Sequence, residues 1–195
     1  MKKLIIGLVA VLVIGGLAST LWPSVNRTGD LPFITYQEAF SQNREEYFVY
    51  FYNTNCSFCQ ELEPYLMELH RAGVPIYVID FTEPANASVR YDWDAHDERH
   101  TTVVGEIVDG EEVWFEEFNP DDFTGQDGWL VSANENQLVA VLGRAELNQT
   151  PQTPEEIEVS GTPGMMHVVN GRAVGVVVGV DESRAMLERY SGLAE

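Results

Sequence analysis

Hydrophobic positions follow different patterns along the chain, beginning with an uncharged run of 18 residues from Leu4 to Leu21 behind Lys2 and Lys3. That length exceeds the usual apolar core of a signal peptide and approaches the ~20 residues that cross a bilayer. Residues 1–22 therefore read as a signal anchor, or as a signal peptide processed near Ala18, Ser19 and Thr20. With the two lysines held on the inner side, either alternative leaves the rest of the chain outside the cytoplasm, as a single-pass membrane protein or a secreted one. Residues 23–32, with two prolines and Gly29, read as a linker.

From Phe33 onward the pattern is that of a folded domain. Apolar residues at Tyr36, Ala39 and Phe40 behind Thr35 suggest a short amphipathic helix. Tyr47 to Tyr52 is a dense aromatic and β-branched run of strand length, to be buried on both faces. Leu62, Tyr65, Leu66 and Leu69 are at helical spacing between Cys56 and Ala72, with Pro64 placed to kink the helix and Gly73 to stop it. Pro75 to Phe81 is a second buried strand, which completes a βαβ unit of the length a parallel crossover needs. Residues 82–158 are less regular and read as an insertion, with a hairpin from Val103 to Phe118 turned at Asp109-Gly110 and a mixed segment near Leu138 to Leu147. The chain closes as ββα: Met165 to Val169 and Ala173 to Val180 flank Asn170-Gly171, and Asp181 to Tyr190 reads as an amphipathic helix.

Charge narrows the partners. The 31 acidic residues outnumber the 11 basic ones, for a net charge of −20, and no lysine follows Lys3. Binding phosphates takes clusters of Lys or Arg, so nucleic acid is excluded as a partner and the membrane is reached only through the N-terminal segment. Apolar content of 45% is enough for a core, so the charge does not signal disorder.

The two cysteines, Cys56 and Cys59, lie between the first buried strand and the helix after it. A thiol at a helix N-terminus faces unpaired backbone N–H groups and the positive end of the helix dipole, both of which favour the thiolate. Cys56, the outer residue, is the candidate nucleophile. Cys59, one turn further in, is placed to attack a mixed disulfide on Cys56 or to close the pair. A bridge enclosing two residues restricts the unfolded chain little and would make a weak staple. Zinc usually takes four ligands, and no second cysteine pair exists, although His70, His96, His100 and His167 could add nitrogens.

Two segments together, Phe51-Tyr-Asn-Thr-Asn-Cys-Ser-Phe-Cys59 and Val159-Ser-Gly-Thr-Pro163 ahead of the ββα unit, resemble the thioredoxin superfamily. The resemblance implies a three-layer α/β/α sandwich (βαβ then ββα), here with a large central insertion and a preceding transmembrane or signal helix. It also implies a cis bond before Pro163, with Thr162 and Pro163 presenting an extended substrate to the catalytic pair, Cys56 and Cys59. It covers roughly 33–80 and 159–190 and says nothing of the insertion. Tyr50 stands where the family carries a buried aspartate, Asn55 replaces a tryptophan, and Ser57-Phe58 separates the cysteines. Glu61 is a candidate proton acceptor for Cys59, with interaction with the helix dipole as the alternative reading.

The expectation is thus an extracytoplasmic thiol–disulfide oxidoreductase with no cofactor, acting on thiols or disulfides of exported proteins, with a membrane redox partner if one is needed. Some bacterial accessory proteins for exported disulfide-bonded peptides look similar, and a bacterial surface protein fits the single apolar segment. The alternative is a thiol-based metal-binding or metallochaperone module on the same fold. Asp92, Asp94, His96 and His100 could form a separate metal site or a solvated helix face. Met165 and Met166 are read as core, with contact to an apolar substrate as the other reading.

Overall fold

The computed structural model describes residue 29 and residues 31–123 and 125–190. The aromatic run becomes β1 (Glu46–Tyr52), with every residue after Glu46 buried, as a strand covered on both faces requires. Cys56 caps α1 (Ser57–Arg71), which contains Pro64 and buries Cys59, Leu62, Glu63, Leu66 and Leu69. β2 (Ile76–Asp80) then pairs with β1 in parallel. At the other end of the chain, β7 (Gly164–Val169) pairs antiparallel with β1, and β8 (Arg172–Val178) pairs antiparallel with β7. α3 (Val180–Tyr190) follows. The resulting four-stranded sheet has the order β2-β1-β7-β8.

Alternation along the strands divides the core in two. Phe48, Tyr50, Tyr52, Val78 and Met165 pack with Leu62, Leu66, Leu69, Met186 and Leu187 beneath α1 and α3. Tyr47, Val49, Phe51, Ile79, Met166 and Val168 point to the other face, where Ala39, Val89, Ile157 and Val159 cover them. That second cover is made of 3₁₀ turns at Tyr36–Glu38, Pro84–Val89 and Pro154–Glu156 with their flanking loops, not of α-helix. The expected helix behind Thr35 is one such turn: Thr35 and Glu38 form a capping box, but of its three residues none is buried, so no apolar stripe extends it. Leu31, read as linker, is 3% exposed and packs in the helix-side core, while Phe33 bridges to Val78 alongside β2.

Residues between β2 and β7 form a second sheet that the sequence patterning left unresolved. α2 (Trp93–His100) leads into β3 (Thr101–Val108), β4 (Glu111–Trp114), β5 (Trp129–Asn134) and β6 (Gln137–Leu142), ordered β4-β3-β6-β5. The Asp109-Gly110 hairpin falls where it was placed. The sheet's buried core is small, with Val104, Leu138 and Ala140 fully enclosed and Trp114, Phe118, Phe123 and Trp129 packed around them.

Among the described residues no helix is long and apolar enough to cross a membrane. The transmembrane or signal helix expected over 1–22 falls outside the described residues. The fold class is corrected accordingly to an α/β sandwich, with no membrane-crossing helix among the described residues. The single-pass membrane or extracellular location, the membrane contact and the membrane redox partner rested on that helix and are withdrawn with it.

Candidate functional site

The turn after β1 brings the two cysteines to the head of α1. Asn53 accepts from the Asn55 backbone N–H through its side chain at 2.9 Å, and its carbonyl accepts from the Cys56 N–H at 3.1 Å. This tight turn makes Cys56 the N-cap, with extended backbone at φ −88° and ψ 115°. Its sulfur then occupies the position a capping oxygen usually takes and accepts from the Cys59 N–H at 3.1 Å.

Both thiols are reduced, with their sulfurs near disulfide distance. Cys56 is partly exposed and Cys59 is fully buried. Burial, and secondarily the hydrogen bond with Cys56, pushes the Cys59 thiol up to about 11, against smaller opposing contributions from the Asn53 backbone and the Tyr50 hydroxyl. Tyr50 is itself fully buried beneath the pair, its hydroxyl 3.5 Å from the Cys59 carbonyl oxygen. Burial moves that phenol far above its usual range, and Cys59 and Glu63 add to the shift.

The loop ahead of β7 completes the site from the far end of the chain. The Thr162–Pro163 bond is cis, as the resemblance implied. The Cys56 thiol donates to the Thr162 carbonyl at 3.2 Å, so residues 106 positions apart in sequence meet at the reactive sulfur. Gly164 follows at a close approach: a Cβ there would stand 2.8 Å from Val159 Cγ1 and 3.4 Å from Phe51 Cβ. The loop is thereby held against β1.

Other candidates resolve differently. Met165 and Met166 are fully buried on opposite faces of the sheet and have no surface to offer a substrate. Glu61 is exposed, away from the buried side of α1. The enclosed acid of α1 is Glu63, which the sequence reading passed over. Its signal was present, because a residue four after Cys59 shares its helix face. Asp92 caps α2 by accepting from Ala95 N–H at 2.9 Å. His96 is neither a ligand nor part of a solvated face: it is fully buried, bonded to Tyr91 Oη and to the Leu142 carbonyl, both at 2.7 Å. Among the described residues no group of three or more His, Cys, Asp or Glu could hold a metal ion, so the metallochaperone alternative gains no support.

No family model matches this chain, and no curated protein matches it. Among solved structures, the thioredoxin f2 of Chlamydomonas reinhardtii aligns with a TM-score of 0.40 and 12% identity, over 82% of this chain and 95% of that one. The strand order, the helix-capping cysteine pair and the facing cis-proline loop are those of a thioredoxin-like α/β sandwich. That arrangement supports thiol–disulfide chemistry in general.

Proposed function

We propose that the chain is a thiol–disulfide oxidoreductase that exchanges disulfides with protein substrates, Cys56 acting as the nucleophile and Cys59 as the resolving thiol. The observation that carries this reading is the asymmetry of the pair: an outer sulfur at a helix N-cap, partly open to solvent, and an inner sulfur enclosed one turn away. A structural staple needs no such difference in access. Exchange does, because one sulfur must meet the substrate while the other waits for the mixed disulfide.

Thr162 and Pro163 supply the substrate-facing edge. The Thr162 carbonyl that accepts from Cys56 lies where an extended peptide carrying the attacked sulfur would run, and β-type pairing with that backbone would align the substrate disulfide. Phe58, 60% exposed between the cysteines, adds an apolar contact beside the reactive sulfur.

The test is to equilibrate the chain against glutathione buffers and count free thiols by mass. One reversible two-electron transition between Cys56 and Cys59 is the expected result. A midpoint near about −120 to −180 mV would place the protein among oxidants and isomerases, and one near about −270 mV among reductases. A pair that forms no reversible disulfide would overturn the reading. In the same system C59S accumulates a mixed disulfide with a peptide substrate and C56S does not.

A further inference from the structure

The helix that opens the second sheet also reaches the redox site. Val159 bridges in parallel to Arg90, with the Tyr91 N–H donating to the Val159 carbonyl at 3.1 Å and the Val159 N–H donating to the Val89 carbonyl at 2.9 Å. This short ladder delivers Trp93, the first residue of α2, to the loop before the cis bond, where its indole N–H donates to the Ser160 carbonyl at 3.0 Å. Two residues further along, the Thr162 carbonyl meets the Cys56 thiol at 3.2 Å. Two residues of backbone span at most about 7 Å, so the indole and the reactive sulfur attend the same short stretch, Ser160 to Thr162, whose residues are all half-buried. Tyr91 and His96 meet the indole edge-on, with ring centroids 5.1 and 5.2 Å away, and fix its orientation, yet 37% of Trp93 stays exposed. Its neighbours in sequence, Asp92 and Asp94, are exposed carboxylates. Among the described residues neither forms an ion pair and no guanidinium lies over the indole, Arg90 being placed over the Phe81 ring instead. An apolar ligand side chain would take water from those carboxylates and give nothing in return. A basic one finds an aromatic face and a counter-charge together, and the field of a chain with net charge −20 draws it in.

We propose that Trp93, with Asp92 and Asp94, selects peptide substrates that carry an arginine or lysine two residues from the reactive cysteine, an inference that rests on the exchange reaction above. In an extended peptide, side chains two residues apart point to one face and stand about 7 Å from each other, a spacing that matches the reach from Thr162 to Ser160. A peptide lying along this loop with its sulfur at Cys56 therefore sets that second side chain beside the indole. Recognition then comes from the inserted residues between β2 and β7, whereas the sulfurs and the cis bond come from the rest of the fold. The arrangement also accounts for a tryptophan left partly in solvent between two acids at the start of a short helix, where packing alone asks for neither.

The test uses the full chain carrying C59S, so that the mixed disulfide persists, and peptides whose single cysteine is joined to thionitrobenzoate. Cys56 Sγ attacks the peptide sulfur, the bond to thionitrobenzoate breaks, and the coloured anion that leaves reports the rate. The peptides carry Arg, Leu or Glu two residues before or after the cysteine, or at the far end of the chain. Arg at one of the two near positions is expected to react about 3- to 10-fold faster than Leu, with Glu slower than either. Adding W93A brings the ratio of Arg to Leu rates close to one, and adding D92N/D94N lowers it, the asparagine at 92 keeping the cap of α2. A loop merely loosened by W93A slows all the peptides together, and a ratio that then stays at its starting value overturns the proposal. An Arg advantage equally large at the far end also overturns it, because net charge alone produces that, and so do equal rates for Arg, Leu and Glu. Each of these results leaves the exchange reaction intact. Release of thionitrobenzoate from none of the peptides overturns the exchange reaction and this inference with it.

Discussion

Cys59 couples the chemistry of the pair to the stability of the domain. An unfolded thiol ionises near about 8.5, whereas in the fold Cys59 keeps its proton to about 11 because burial disfavours the thiolate. Between those values the unfolded chain has lost a proton that the folded chain retains, so the free energy of unfolding falls as pH rises. The contribution is fully present below the unfolded value and declines through this window, by a few kcal/mol at about 1.4 kcal/mol per pH unit. Tyr50 moves in the same direction at still higher pH. Urea midpoints of the reduced protein should therefore drop more steeply between about pH 8.5 and about pH 11 than those of C59A. Parallel slopes would mean that the inner thiol is solvated, and the asymmetry on which the exchange reading rests would be lost.

Elements formed by dense local signals were legible, and those formed by sparse ones were not. β1, α1 and β2 follow directly from a six-residue aromatic strand, helical spacing of leucines and a second apolar run. The closing hairpin follows from Asn170-Gly171, which takes φ of 51° and 72°, the left-handed pair such a two-residue turn demands. The β5–β6 hairpin was missed because its turn places Glu135 at φ 54°, a residue that does not advertise that conformation, and because β5 is mostly exposed. Glu63 was missed because counting apolar positions along α1 registers its neighbours and skips the acid between them. In β3 the pairing with β6 shifts between Val103 and Gly105, and Gly105 abuts β4 so closely that an added Cβ would collide with the Val113 carbonyl oxygen. Backbone cannot yield as a side-chain tip can. G105A should therefore separate β4 from β3 at a cost of about 1–3 kcal/mol, seen as faster amide exchange over Glu111–Trp114 with β1 and β7 unchanged. Unchanged exchange in β4 would show that the strand accommodates the methyl group.

At the scale of the whole molecule, two sheets share one chain through α2. The Trp93 indole N–H donates to the Ser160 carbonyl at 3.0 Å, and Arg90 bridges to Val159, so the start of α2 lies along the segment that leads to Thr162. From the same helix His96 reaches the second sheet. Its Nε2–H donates to the Leu142 carbonyl at the end of β6, which leaves Nδ1 to accept from the Tyr91 hydroxyl. A net charge of −20 spread over both parts opposes their association, and the second sheet's own core is small, so this buried histidine is a principal tie between them. H96A removes both hydrogen bonds, strands a buried carbonyl and opens a cavity, for an expected loss of about 3 kcal/mol. Hydrogen exchange should then accelerate over β5, β6 and the Tyr91–Trp93 segment while β1 and β7 retain their protection. Because Trp93 holds the loop before the cis bond, mixed-disulfide formation on an extended peptide should slow in the same variant, with the potential of the Cys56–Cys59 pair unchanged. Equal loss of protection in both sheets would instead mean that they unfold as one unit, and a wild-type exchange pattern would mean that contacts other than His96 join them.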